Sequence, residues 1–209
     1  MKIAIDLNDV VRAYTSQFAS YYKKNIDRTF DIDNLDVWTS DLKEIFPFES
    51  KQHYLEFLYN DYAYEIHGCA QVMDKNLGSR FIDWCKEITE LDEIPELCVV
   101  STGEYDKTIG ATHFFLSKIA LKIRETHLLL KDEDVWSKCD VLVTANPYLL
   151  ALKPEDKISV KINASYNVES ESDFIFETFT DFMNDSEIIG EMNDMLSSTR
   201  PTKITDINE

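Results

Sequence analysis

The stretch KIAIDLNDVV, residues 2–11, decides how the rest of this chain is interpreted. It begins as an apolar strand, brings Asp6, Asn8 and Asp9 close together, and then turns apolar again. Polar residues directly after a strand have two common roles. Carboxylates at a strand end can face a phosphate, whereas Asn or Asp can simply cap the helix that follows. The first role requires partners elsewhere in the chain.

The charge balance limits which partners are expected. Lys and Arg total 21 and Asp and Glu total 39, so the formal net charge of the 209 residues is −18. A surface that follows the phosphates of a nucleic acid needs the opposite sign, so we expect no direct nucleic-acid binding. An acidic surface instead attracts the basic surface of a partner protein.

The N-terminus and the cysteines indicate a compartment. Asp6, Asn8 and Asp9 interrupt the apolar residues after Lys2, which argues against a signal peptide. No window has enough apolar residues to cross a bilayer. The four cysteines lack the paired spacing of a structural zinc site. We therefore expect a soluble protein that is cytoplasmic at synthesis and does not bind membranes.

Short apolar runs alternate with helical patterns along the chain, which predicts an α/β fold with a parallel sheet. Most runs are apolar almost throughout, as in strands that helices cover on both faces. Helices are predicted at residues 76–88 and 107–124, where apolar side chains recur on one face. The predicted strands are Lys2–Asp6, Leu97–Thr102, His127–Lys131, Val141–Ala145 and Ile158–Asn163.

The spacing of these strands predicts an insertion. About ninety residues separate the first two strands, far more than one crossover helix uses. We therefore assign residues 1–10 and 76–185 to a core, residues 11–75 to a small helical cap, and residues 186–209 to an acidic C-terminal helix and tail. The cap should lie over the C-terminal ends of the strands, where open α/β sheets bind ligands.

The ordered motifs resemble the haloacid dehalogenase (HAD) superfamily, specifically its 5'(3')-deoxyribonucleotidase branch. The resemblance implies a Rossmannoid parallel sheet with a cap after the first strand. In that family the first strand ends in D-x-D-x-[TV], where one Asp attacks phosphorus and the other protonates the leaving oxygen. DLNDV puts Asp6 at the nucleophile position and Asn8 at the position of the general acid. Either Ser101 or Thr102 matches the residue that hydrogen-bonds the phosphoryl oxygen.

Two further motifs depart from the family pattern. The expected lysine falls near Asp134, and Lys131 and Lys138 are both displaced from that position. The motif that holds magnesium in the family reads DVLVTANP here, residues 140–147, so Thr144 and Ala145 replace its two carboxylates.

The lost residue types predict a catalytically inactive domain without a cofactor. An amide cannot donate the proton of a general acid, whose loss typically costs about 10²–10⁴ in rate. Magnesium prefers anionic oxygen ligands, which Thr144 does not supply. The alternative is a magnesium-dependent phosphohydrolase of nucleoside monophosphates, with the ion near Asp6, Thr144 and Asp140. Metal-free dehalogenation and nucleotide sensing without turnover are further alternatives.

An inactive domain needs another role, and we expect a structural or protein-binding component of a larger assembly. A composition rich in Asn, Ile, Lys and Tyr is typical of AT-rich genomes, including those of many bacterial viruses, so a virion component is one hypothesis. Near the C-terminus, a helical stripe is predicted either to bind a partner's groove or to pack on the chain's own sheet. The stripe contains Ile188, Ile189, Met192 and Met195.

Overall fold

A single parallel sheet organises the described part of the chain, as the sequence predicts, but it has six strands where the sequence predicts five. The computed structural model describes residues 1–32, 35, 42–119 and 123–199. The strands lie in the order β3-β2-β1-β4-β5-β6, and every neighbouring pair is parallel. Their bounds are Lys2–Asp6 (β1), Glu96–Ser101 (β2), Glu125–Leu128 (β3), Val141–Thr144 (β4), Ile158–Ile162 (β5) and Phe174–Phe176 (β6).

Strand β1 lies at the centre of the sheet and is sealed from water. Ile3, Ala4 and Ile5 are completely buried, which explains the unbroken apolar run in the sequence. Asp6 pairs with Val100 of β2, and Ile5 pairs with Val143 of β4. Because parallel strands end at the same edge, this register brings Asp6 beside Ser101 and Thr144.

Core helices flank the sheet and match the predicted pattern with two differences. The four are α4 (Leu77–Ile88), α5 (Asp106–Lys118), α6 (Pro147–Ala151) and α7 (Phe179–Asn184), and a 3-10 helix spans Asp132–Ser137. Helix α5 ends at Lys118 and not at residue 124. Strand β3 begins at Glu125, two residues before its predicted start. The apolar run Leu128–Leu130 was misleading, because Leu129 packs below the sheet and Leu130 is exposed.

The residues between β1 and α4 form helices with a separate core, and we call the segment 11–75 the cap. It contains α1 (Tyr14–Asn25), α2 (Leu42–Ile45), α3 (Lys51–Glu56) and π-helical turns at Phe57–Asp61 and Tyr64–Gly68. Aromatic side chains such as Phe18, Phe46 and Phe57 pack around one another in it. Residues 33–34 and 36–41 of its aromatic-rich sequence lie outside the described residues.

Two antiparallel linkers join the cap to the core. The amide of Ala13 donates to the carbonyl of Gln71 at 2.9 Å, and the amide of Met73 donates to the carbonyl of Val11 at 2.9 Å. The chain therefore enters and leaves the cap at nearly the same point.

The C-terminal helix α8 (Ile188–Thr199) packs on the chain's own core. Ile188, Ile189 and Met192 are at most 4% exposed, and Met195 is partly buried against the same cluster. The prediction that these four residues form a partner-binding stripe is therefore corrected, because their apolar surface is already covered. Residues 200–209 of the predicted tail lie outside the described residues. Among the described residues, no helix is long and apolar enough to cross a membrane.

This packing predicts that the stripe stabilises the fold. Met192→Ala should lower the free energy of unfolding by about 2–5 kcal/mol, because it opens a cavity in the core. The neighbouring exposed residue gives the control, and Glu191→Ala should change stability by less than about 0.5 kcal/mol. Denaturant unfolding measures both. Equal effects of the two substitutions would contradict the burial of this helix face.

Candidate functional site

The predicted motif residues converge at the C-terminal edge of the sheet. Thr144 Oγ1 donates to Asp6 Oδ2 at 2.7 Å, and the amide of Asn146 donates to Thr144 Oγ1 at 3.0 Å. A cleft of about 110 Å³ opens beside this pair, smaller than the roughly 300–1,000 Å³ of pockets that hold drug-sized ligands. Its lining comprises Asp6, Asn8, Asp9, Tyr14, Thr15, Thr102, Asn146, Pro147 and Tyr166.

Asp6 sits in an environment that disfavours its charge. Burial raises the pKa of its carboxyl from 3.8 to about 7, against the opposing effects of the Thr144 hydrogen bond, the Asn8 amide and the Arg12 charge. The negative charge of Asp132 raises the pKa further. Burial therefore favours the protonated, uncharged form of Asp6 far more than in water.

Asn8 is held in place by Arg12 and faces the same cleft. Its side-chain oxygen accepts from Arg12 Nε at 2.9 Å and from Arg12 Nη2 at 2.6 Å. The amide oxygen is therefore fully used, and the amide group has no acidic proton to give. The position that carries the general acid in the resembled family is here part of an arginine-binding site.

The structure separates the two candidates at the end of β2. Ser101 is completely buried, and its hydroxyl donates to Glu104 Oε1 at 2.8 Å. Thr102 lines the cleft. Of the two alternatives, only Thr102 is in position to contact a molecule beside Asp6.

Asp140 lies at the other edge of the sheet, so its prediction as a metal ligand with Asp6 is wrong. Asp140 Oδ2 accepts from the amide of Lys2 at 2.8 Å, at the start of β1. Asp6 lies four residues further along that strand, about 13 Å away at the usual rise per residue. The error arose because Asp140 precedes β4 and therefore belongs to the N-terminal edge.

The two lysines near the expected position do not act on Asp6. Lys131 is exposed at the start of the 3-10 helix, and Lys138 follows its end. In this segment the charge that acts on Asp6 is that of Asp132, which has the opposite sign and raises the pKa of Asp6.

The cleft residues that were not predicted as functional include Asp9, Thr15 and Tyr166. Asp9 has a backbone φ of +56°, a left-handed conformation that Asp tolerates better than most residues. Its Oδ1 accepts from the amide of Thr15 at 2.9 Å, and its Oδ2 accepts from the Tyr166 hydroxyl at 2.7 Å and from the Thr15 hydroxyl. The density of acidic residues after β1 was the only sequence signal, and a turn explained it equally well.

Asn167 positions the neighbouring Tyr166. Its side-chain amide donates to the carbonyls of Ala145 and Ile162, both at 2.8 Å, and its oxygen accepts from the amide of Ala164 at 3.0 Å. These bonds fix the loop after β5 against the end of β4. The loop thereby holds the Tyr166 hydroxyl beside Asp9.

These residues do not fit magnesium, the ion that the fold family implies. A hard divalent cation needs several anionic or carbonyl oxygens around it. Asp6 is buried, Thr144 Oγ1 already donates to it, and both oxygens of Asp9 accept hydrogen bonds. Within the described ranges, no group of three or more Asp, Glu, His or Cys side chains could hold a metal ion.

Solved structures share this fold at low sequence identity. A protein described as a haloacid dehalogenase-like hydrolase from Burkholderia xenovorans LB400 has a TM-score of 0.54 and 10% identity, and the match covers 90% of this chain and 97% of that chain. A HAD-like family hydrolase from Xanthomonas campestris has a TM-score of 0.53 and 8% identity, with 95% and 98% covered. No protein-family model and no curated protein matches the sequence. The chain therefore has a haloacid dehalogenase-like fold, which the sequence resemblance correctly predicted.

The raised pKa of Asp6 predicts how stability depends on pH. Because the folded state keeps this proton up to about pH 7 and the unfolded state loses it near 3.8, Asp6 makes the free energy of unfolding fall as pH rises between those values. Asp6→Asn should therefore stabilise the protein at pH 8 by up to about 4 kcal/mol and give no gain near pH 4.

The exposed Asp83 provides the control for this comparison. Its hydrogen bond to Lys86 lowers the pKa of Asp83, so Asp83→Asn should give no gain at pH 8. Chemical denaturation of the three proteins at both pH values measures the differences. A loss of stability in Asp6→Asn at pH 8 would show that the Asp6 charge is stabilised and not penalised.

Proposed function

We propose that this protein is a catalytically silent domain with the layout of a 5'-nucleotidase, acting as a structural or protein-binding component of a larger assembly. One observation carries the proposal. The carboxylate at the nucleophile position is buried, is raised in pKa to about 7, and accepts a hydrogen bond from Thr144 at the position where the resembled family holds magnesium.

Each step of phosphoryl transfer lacks a group that it needs. A nucleophilic carboxylate must be ionised, yet burial raises the pKa of Asp6 to about 7 and so disfavours the ionised form. The leaving alkoxide needs a proton, and Asn8 offers an amide whose oxygen binds Arg12. Charge on the transferred phosphoryl group needs a cation, which supplies several kcal/mol in metal-dependent enzymes. The described residues around the cleft include no lysine.

The presence of Asp9 in the cleft favours the alternative, a magnesium-dependent phosphohydrolase acting through Asp6. Asp6 and Asp9 together give two carboxylates on one cleft. Asp9, however, accepts hydrogen bonds from Thr15 and Tyr166, and displacing these donors would cost their bonds. We therefore rank this function second.

The assembly role rests on charge and on composition. A net charge of −18 favours association with a basic protein surface. A place in a bacterial-virus particle is part of the same proposal and rests on composition alone.

Co-purification from the native source tests the assembly role. A partner bound in fixed stoichiometry and released by salt supports the proposal, whereas a lone chain at low salt contradicts it.

An activity assay tests the inactivity directly. The purified protein with magnesium should give no phosphate release above the blank from deoxynucleoside monophosphates or from an aryl phosphate. Asp6→Asn serves as the control, because it removes the nucleophile. Turnover that this substitution abolishes would establish the phosphohydrolase instead.

A binding measurement tests the missing cation independently of activity. Magnesium should leave the melting temperature of the wild type unchanged. Thr144→Asp adds a second carboxylate beside Asp6, so it should destabilise the metal-free protein and regain stability when magnesium is added. A magnesium-dependent rise in the wild type, lost in Asp6→Asn, would show that the natural residues bind the ion.

A further inference from the structure

Arg12, in the first linker of the cap, is a completely buried charge. Its guanidinium donates to the side chain of Asn8, to the His67 carbonyl at 3.0 Å and to Thr112 Oγ1 at 2.8 Å. It also lies within 3.5 Å of Ser101 Oγ and Glu104 Oε1. All three guanidinium nitrogens therefore have acceptors within the protein.

The partners of Arg12 belong to both parts of the molecule. His67 lies in the last π-helical turn of the cap, whereas Ser101, Glu104 and Thr112 belong to the core around α5. Glu104 balances the positive charge, and the side chains of Arg12 and Glu104 are 0% and 1% exposed. Glu104 Oε1 also accepts from Ser101 at 2.8 Å and from Thr112 at 2.9 Å. The network is therefore continuous from the cap to the core.

Backbone contacts beside Arg12 hold the two linkers together and bring the cap close to the core. The linkers pair at Arg12 and Val72, with hydrogen bonds on both sides of that bridge. Gly68 of the cap lies so close to α5 that an added Cβ would stand 3.1 Å from the Ala111 carbonyl oxygen. Cap and core thus meet backbone against backbone, with Arg12 beneath the contact.

We propose that Arg12 and Glu104 lock the cap on the core, so that the cap does not swing away from the Asp6 cleft. If the cap moved, the buried Arg12 guanidinium could no longer bind the His67 carbonyl of the cap and the Thr112 and Glu104 side chains of the core at the same time. Each group would then have to be hydrated or left buried without its partner, and both outcomes are costly. This inference is independent of whether the cleft turns over a substrate.

Distance measurements between spin labels on the cap and the core test the lock. Cysteines introduced at Gln52 and Asp156, both exposed, carry the labels after Cys69→Ser and Cys85→Ser remove the more accessible natural thiols. The wild type should give one narrow distance distribution. Arg12→Met keeps a long side chain but removes the charge, and it should add a second, longer population, since breaking a buried pair shifts an equilibrium by about a hundredfold.

Arg80 provides a matched control in the core. It pairs with Glu87 at 2.9 Å and donates to Asn184 at 2.6 Å, and both of these partners lie in the core. Arg80→Met should therefore keep the single narrow distribution. A second population in Arg80→Met equal to that in Arg12→Met would overturn the lock.

Two other results would also overturn the proposal. One is a broad distribution in the wild type, which would mean that the cap already moves. The other is a single narrow distribution in an Arg12→Met protein whose circular dichroism shows that it is folded. If Arg12→Met does not fold, Glu104→Gln replaces it, because this change leaves the Arg12 charge uncompensated while the packing is kept. A second, longer population in Glu104→Gln then supports the lock, and a single narrow distribution overturns it.

Discussion

The cost of removing charge from water is the constraint on which this structure depends. It acts at two neighbouring places with different outcomes. At Asp6 burial outweighs the opposing effects of the hydrogen bonds and of the Arg12 charge, so the pKa of the carboxyl rises towards neutrality. At Arg12 the charge is retained because Glu104 and several hydrogen-bond acceptors surround it. Asn8 belongs to both places, because it lines the cleft beside Asp6 and its side-chain oxygen binds Arg12.

Asn8 illustrates that the fold determines where a side chain lies without determining its residue type. The parallel sheet still brings the ends of β1, β2 and β4 to one edge, and the fold matches hydrolases of 8–10% identity over nearly their whole length. The strand register fixes where these side chains lie, but it does not fix what they are. An amide at position 8 accepts from Arg12, where a carboxylate would carry an additional negative charge beside Asp6.

The sequence predicted individual strands well. It predicted less well the features that depend on contacts between several elements. Strands β1, β4 and β5 were recognised because burial on both faces leaves almost continuous apolar runs. Strand β6 has three residues, too few to show a period, and β3 lies at an edge where its side chains are only half buried. The apolar face of α8 was visible, but its position against the core was not.

The site residues that could be predicted were likewise those whose position depends on a single strand. Asp6 and Thr144 were identified because each ends a strand, whereas Asp140 was misassigned because it begins one. Choosing between Ser101 and Thr102 required knowledge of Glu104, which takes the Ser101 hydroxyl. Arg12 and Tyr166 could not be found from sequence, because their partners lie up to 157 positions away along the chain.

The antiparallel linkers of the cap have a consequence for the history of such a chain. Because entry and exit are joined by direct hydrogen bonds between Ala13 and Gln71 and between Met73 and Val11, the cap is a detour that returns to its starting point. It also has an aromatic core of its own. A segment whose ends already meet can change in length during evolution without changing the order of the strands. Only changes that keep the Arg12 contacts with both parts leave the cap attached as it is here.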